Sequence, residues 1–465
     1  MSRIRSYVAA FAAAVAALAF APTQSVRAQA VPTDSAILEI IKTRVDSGRS
    51  RGIAVGVLEN GKRRFVSYGS AGPGRAPLDE HTIFEIGSIS KTFTGLLLAA
   101  AVERGEVQLD EPVARLLPKG TTVPSYEGRQ ITLVDLSTHR SGLPRLPGNF
   151  SPANPDDPYA DYDAKKLYAF LSSYQLPRAP GDSAEYSNLA VGLLGHALTL
   201  KAGAPSWGAL VESRITKPLG MRETFVDVPA ALRARVSAGH DPRMDSVPAW
   251  HLDALSGAGA LRSTANDMLT YLAAEMDTLH GPLARAVATG RKPRAAFGRD
   301  SIALAWLVHD LGDTRSWWHN GGTGGFRSFA AFDPTRGVAV VVLSNAAVEV
   351  DDIGMHLIAP TSPLQMPPVP VHRTEVALTP AQLERVVGDY VLAPTFTFHV
   401  TREGDAAYVQ ATGQQKIRMW ATSPDHFFLK EVDAQLVFAL DDAGGPAKSV
   451  TLLQNGASQT AARKP

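Results

Sequence analysis

The first patterned stretch of the chain places Ile37, Leu38, Ile40, Ile41 and Val45 at helical spacing, which predicts a helix ending before Gly48. Two β-prone runs follow, at 52–59 and 62–70, with Asn60-Gly61 between them. Asn-Gly at that point predicts a two-residue hairpin. After a loop at 72–77, the apolar run from Ser88 to Gly105 reads as a long buried helix. Helical patterning then dominates at 132–138, 164–173, 188–201, 207–215 and 264–274, with a Pro/Asp/Tyr-rich loop at 151–163. Strand patterning returns at 301–310, 316–320, 326–333 and 337–345, and a last helix is expected at 350–358. Two strands from the start and about three from the end, around a helical middle, predict one antiparallel sheet built from both ends of the domain.

Beyond this the texture changes. Residues 361–375 are Pro-rich and expected to be an extended linker. Residues 376–465 hold one short helix at 379–387 and then short β-prone runs separated by turn residues, the pattern of a small barrel or sandwich. The expected fold is therefore α/β of the α+β kind: an antiparallel sheet flanked by helices, a helical lobe, and a small β-rich C-terminal domain.

The first thirty residues are read as a targeting segment. Arg3 and Arg5 precede an apolar run at 8–21, and Ala28-Gln29-Ala30 supplies a small-x-small cleavage site. The run is short for the ~20 residues of a membrane span. Residues 1–30 are thus expected to be a cleaved signal peptide, 31–360 the main domain, and the product secreted, in the periplasm. No integral membrane segment is expected after that removal.

Composition narrows the function. With 46 basic and 45 acidic residues the net charge is +1, which offers no footprint for nucleic acid. The expected partner is a small-molecule or peptide-like substrate. Cysteine is absent, which removes thiol nucleophiles, disulfides and Cys-based zinc sites from consideration. The twelve histidines form no metal-ligand pattern, and no dinucleotide or phosphate-loop sequence is present, so neither metal nor cofactor is expected. Gly48 to Gly52 matches G-x-S-x-G, but it follows a helix and precedes a strand, the reverse of a nucleophile elbow, and reads as a charged turn.

Three short stretches carry chemistry. In Ser88-Ile89-Ser90-Lys91 the i, i+3 spacing sets a hydroxyl beside an amine on one helix face. A serine needs a base to become a nucleophile, and a lysine serves only when burial lowers its pKa. Alone, such a pair is more often a helix cap and an exposed lysine. In Tyr186-Ser187-Asn188 a loop tyrosine can point its phenol into a cleft, while the asparagine can bind both the lysine and a substrate amide. Alone, this reads as a capping asparagine beside a packed tyrosine. In Trp318-His319-Asn320-Gly321-Gly322-Thr323-Gly324-Gly325 the glycines let a ligand approach backbone closely, and an edge-strand N–H at Gly322 can pair with that of Ser88 as an oxyanion hole. The bland alternative is a flexible hairpin with a surface histidine. His139 reads as a cap or brace of its local turn, and Asp135 and Asp267 as solvated or capping residues of helical segments.

Taken in order, these stretches resemble the penicillin-recognising serine hydrolases: class C β-lactamases, their DD-peptidase relatives and the β-lactamase-like esterases. The resemblance spans about residues 36–357 and includes the segments 84–93, 136–143, 257–268 and 321–326. It implies Ser88 as nucleophile, Lys91 as its activator and Tyr186 as proton shuttle. It also implies Asn188, His319, Gly321 and Gly322 on the substrate, with the Ser88 and Gly322 amides as oxyanion hole. Where the family usually has lysine this chain has His319, a group neutral for much of the time at pH 7 in place of a fixed cation. Asn320 likewise stands in place of threonine. The expected activity is hydrolysis through an acyl-enzyme, of β-lactams first. A D-alanyl peptidase or an esterase is the second reading, and a non-catalytic binding protein on the same fold the third.

Overall fold

A computed structural model describes residues 30–464 apart from 278–279, 281–282, 368–372, 395, 415, 431, 433, 442–443 and 455–456. The expected signal peptide and the middle of the expected linker lie outside the described residues.

Helix α1 (Asp34–Asp46) starts at Thr33, whose hydroxyl accepts from the Ala36 amide at 3.3 Å. Strands β1 (Gly52–Glu59) and β2 (Lys62–Gly69) form the hairpin, and its two turn residues take φ 51° and 75°. Positive φ at both central positions is why the sequence there is Asn-Gly. The other strands of this sheet come from the far end of the domain: β3 (Ala295–Phe297), β4 (Asp300–Ile302), β5 (Leu307–Asp310), β6 (Arg315–Gly322), β7 (Arg327–Asp333) and β8 (Val338–Ser344). Their order is β2-β1-β8-β7-β6-β5-β4-β3, antiparallel throughout, so β1 closes against the last strand of the domain.

β1 and β8 are buried on both faces, and their residues alternate between two cores. Ile53, Val55, Val57, Val340 and Val342 pack with Ile37 and Ile41 of α1 and with the helix Asp351–Ile358. Ala54, Leu58, Ala339, Val341 and Leu343 pack into the larger core, which includes α2 (Ser90–Glu103) and the middle of the chain.

The strand reading needs one correction. Residues 301–310, a single apolar run in sequence, are two strands, β4 and β5, folded back on each other with Ile302 opposite Leu307. Ala305 turns the chain at φ 67°. The turn is held by Ala305 N donating to Ser137 O (3.1 Å) and Leu304 N to Gly290 O (3.0 Å). Gly95 of α2 lies against it so closely that a β-carbon would stand 2.2 Å from Leu304 O. Six strands, not about three, therefore come from the late segment. This matters for β6. Its pairing with β5 ends at Trp318–Leu307, while its pairing with β7 continues through Gly322. Residues 319–322 consequently have one open edge inside the sheet.

The C-terminal segment forms a closed eight-stranded barrel. Its first strand (Gly388–Ala393) pairs with its last (Ala457–Arg463) through Tyr390–Arg463 and Val391–Ala462. Tyr390, Phe398, Val400, Phe427, Leu436, Phe438 and Val450 fill it. Glu375, just before the barrel, meets Arg243 at 3.4 Å and Lys430 at 2.6 Å. Among the described residues no helix is long and apolar enough to cross a membrane.

Candidate active site

The open edge of β6 is met by a tight turn. Gly87–Ile89 is a single 3-10 turn leading into α2, which itself starts at Ser90 rather than at Ser88. Gly87 sits at φ +48°, and a β-carbon there would be 2.6 Å from the Gly322 amide nitrogen. Gly321 is equally constrained, since a β-carbon would fall 2.0 Å from Ile86 O. Two glycines on facing segments thus let the backbone of the Ser88 turn lie directly on that of β6.

Ser88 is half-buried at the end of this turn, whereas Lys91 is fully buried one turn on. Lys91 Nζ lies 2.9 Å from Ser88 Oγ and donates to the carbonyl of Ala258 at 2.7 Å. No carboxylate is among its ion pairs. Burial holds its pKa well below the usual lysine range, and the positive charge of Arg145 pushes the same way. Burial therefore disfavours the charged form of this amine.

Tyr186 reaches the pair from the loop before helix α3 (Asn188–Ala202). Ser187, not Asn188, caps that helix: its hydroxyl accepts from Ala190 N at 2.9 Å and donates to Pro144 O at 2.6 Å. The Tyr186 ring lies 4.6 Å from His139, 6.4 Å from His319 and 5.0 Å from Lys91 Nζ, centroid distances for the rings. Burial raises the phenol's pKa to about 12, and a hydrogen bond with Ser88 works against that rise. It keeps its proton at neutral pH.

Asn188 departs from expectation. Its Nδ2 donates to Tyr159 Oη at 3.1 Å, and its Oδ1 is buried without a partner. The expected bond to Lys91 is not formed, because the amine is already turned to Ser88 and Ala258. His319 is buried on β6, with Nδ1 donating to Asn320 O at 2.5 Å. Burial, with Lys91 nearby, drives its pKa down to about 3, so it is neutral throughout the physiological range. Asn320 faces away and donates to Asp351 at 2.6 Å.

Three residues of this cleft escaped the sequence reading. His139 is a brace, but of a distant element: its Nδ1 accepts from Ser187 N at 3.1 Å, which fixes the loop carrying Tyr186. Arg145 lies over the Tyr186 ring at 5.0 Å, and Tyr159 holds Asn188. His139 and Arg145 share the loop after residue 136, the start of one of the segments that carry the family resemblance, which was the available signal. Asp135 completes the capping box with Thr132, whereas Asp267 is buried and its carboxylate accepts from Glu223 N and Thr224 Oγ1, the cap of its helix being Thr264. Ser50 of the G-x-S-x-G decoy is bonded to Gly52 O and Ser344 Oγ, a structural turn. Among the described residues no three His, Asp or Glu gather as a metal site.

Comparison with known proteins agrees with this geometry. The family model described as Beta-lactamase matches residues 37–359. A D-alanyl-D-alanine-carboxypeptidase/endopeptidase, AmpH, of Escherichia coli is 30% identical over 311 residues, covering 63% of this chain and 78% of the relative. A Pseudomonas fluorescens protein named Beta-lactamase is 27% identical over 330 residues, covering 63% and 88%. The crystal structure of a class C β-lactamase from Rhodobacter sphaeroides superposes with a TM-score of 0.61 at 28% identity, over 71% of this chain and 97% of that one. The C-terminal barrel lies beyond the family match. From residue 37 to residue 359 the chain has the β-lactamase/transpeptidase-like fold, and it belongs to the β-lactamase family of serine hydrolases.

Proposed function

We propose that this enzyme opens cyclic or linear amides through an acyl-enzyme on Ser88, with β-lactams as the first substrate class. The observation that carries the reading is the Lys91 amine, fully buried and 2.9 Å from the Ser88 hydroxyl, its pKa held well below the usual lysine range by that burial. A neutral amine takes the proton as Ser88 Oγ attacks the carbonyl carbon. The resulting oxyanion is held by the Ser88 and Gly322 amides, the latter on the open edge of β6. Tyr186, protonated at neutral pH, gives its proton to the departing nitrogen and regains one from Lys91. Asn188 Oδ1 accepts from a substrate amide, and water then attacks the ester to restore Ser88. His319 lines the pocket as a neutral group, and Gly321 beside it lets the Ile86 backbone lie against β6.

A D-alanyl peptide is the second reading, favoured by the 30% identity to the carboxypeptidase/endopeptidase. The first thirty residues support export with cleavage after Ala30 and a periplasmic or extracellular place of action. In this reading 31–360 is the hydrolase domain, 361–375 a linker and 376–465 an accessory β-domain. The test is covalent labelling. A fluorescent penicillin or a fluorophosphonate is expected to tag the wild type and not Ser88→Ala, and equal tagging of both would sink the assignment. Turnover of nitrocefin, a D-alanyl-D-alanine peptide and a p-nitrophenyl ester then ranks the substrate classes.

A further inference from the structure

Arg145 stands at the mouth of the cleft with an exposed side chain. Its backbone is fixed: its carbonyl oxygen accepts from Asn188 N at 3.0 Å and Leu189 N at 3.2 Å, the first turn of α3. Its guanidinium carbon lies 5.0 Å from the centroid of the Tyr186 ring, within cation–π range. Among the described residues it has no ion pair and no side-chain hydrogen bond. The other arginines around the pocket are occupied. Arg327, beside Gly322, is bound to Glu349 at 2.9 Å and to the carbonyls of Thr323 and Phe326. Arg262 is buried against Glu85 at 3.1 Å.

The charge of Arg145 is felt by Lys91, His139, Tyr159 and Tyr186, none of them a carboxyl group. The two imidazoles of the cleft, His139 and His319, are held neutral by burial. Arg145 is thus a fixed positive charge with no counter-ion among the described residues. Next to it, Asn188 Oδ1 is a buried acceptor without a donor. A planar fork of N–H donors matches a carboxylate, and a lone amide oxygen matches an N–H.

We propose that Arg145 binds a carboxylate of the substrate, so that the site selects acylamino compounds carrying a free acid close to the scissile amide. This rests on the acyl-enzyme reading above and adds a recognition group to it. The stacked Tyr186 ring limits the guanidinium's freedom before substrate arrives, which lowers the ordering cost of binding. It also ties recognition of the acid to the residue that passes the proton.

The test uses the full mature chain and a matched pair, benzylpenicillin and its methyl ester. Each competes with a neutral fluorophosphonate for Ser88, and the acid-to-ester ratio of acylation rates is read. In Arg145→Ala this ratio is expected to fall roughly ten- to a hundredfold, the usual weight of a charged hydrogen-bonded pair. Arg145→Lys, which keeps charge but not the fork, is expected to recover only part. The same comparison with a D-alanyl-D-alanine peptide, acid against C-terminal methyl ester, separates a peptide's terminal carboxylate from that of a β-lactam. A ratio within twofold of wild type for both pairs, or acid and ester slowed equally, removes Arg145 from recognition and leaves it a prop for Tyr186. If the fluorophosphonate itself fails to label Ser88, the nucleophile reading falls and takes this proposal with it. If it labels while neither acid nor ester competes in the wild type, the carboxylate anchor alone is rejected.

Discussion

The sheet-and-helix region and the C-terminal barrel treat buried polarity in opposite ways. Among the described residues, every buried side-chain nitrogen or oxygen without a hydrogen-bond partner lies at or before Asn345, Asn188 Oδ1 among them. Every buried polar or charged residue lies there too. The barrel's interior is apolar, and its one fully buried phenol, Tyr390, is satisfied by Val386 O at 2.8 Å. A buried group without a partner is costly, so a fold keeps such groups where a ligand can complete them. The contrast teaches where chemistry resides. It also separates the two regions by how each is expected to fail.

The largest effect is expected from the pair at the centre of that contrast. Lys91→Ala and Tyr186→Phe should each lower turnover by about 10²–10⁴. A loss of tenfold or less in both would mean that proton transfer runs through other groups. Next is Gly87→Ala. It places a β-carbon against the Gly322 amide at a φ that L-residues disfavour, and should cost about 10²–10³ in kcat by displacing an oxyanion donor. Near-normal kcat in that variant would show that the β6 edge is not the donor.

The pH dependence follows from the same burial. Lys91 must be neutral to act, so activity is expected to fall as pH drops through its depressed pKa, with neither His319 nor His139 setting that limb. The stability sign is fixed by linkage. In the unfolded chain this lysine holds its proton up to about pH 10.4, while burial in the fold makes it release the proton at lower pH. Stability therefore rises with pH between the depressed value and about 10.4, and is lost toward acid. Lys91→Met should flatten that slope and stabilise the protein at neutral pH on the order of 1 kcal/mol while abolishing turnover. Thermal melts across pH check it, and an unchanged slope would place a charged amine in the fold.

The smallest catalytic effect is expected in the barrel. Phe438→Ala should destabilise that segment by about 3–5 kcal/mol through the cavity it leaves. The rate of Ser88 labelling should stay within about threefold of wild type. A large drop in labelling would break the comparison, because the barrel would then be shaping the cleft.

Much of the frame was legible beforehand. The hairpin at Asn60-Gly61, the helix at 164–173 and the spacing that sets Lys91 beside Ser88 depend on contacts a few residues apart, which local pattern records. The run at 301–310 misled because apolar periodicity cannot register a turn, and that turn is held by Ser137, Gly290 and Gly95 from elsewhere. The barrel's last strand, Ala457–Arg463, gave little signal, since small and polar residues reveal a strand only when closure supplies its partners. Arg145 and His139 were invisible as site residues because nothing in a loop sequence states which ring it will face.

The sequence by itself determined the helices, the hairpin, the glycine-rich stretch at 321–325, and a hydroxyl one helical turn from an amine. Only the tertiary structure decided that burial lowers this amine's pKa, that Asn188 turns to Tyr159 rather than to Lys91, and that Arg145 has no counter-ion among the described residues. Spacing fixes neighbours along one helix. Desolvation and charge pairing depend on what the rest of the chain packs around them, and those contacts join residues from 29 to 167 positions apart.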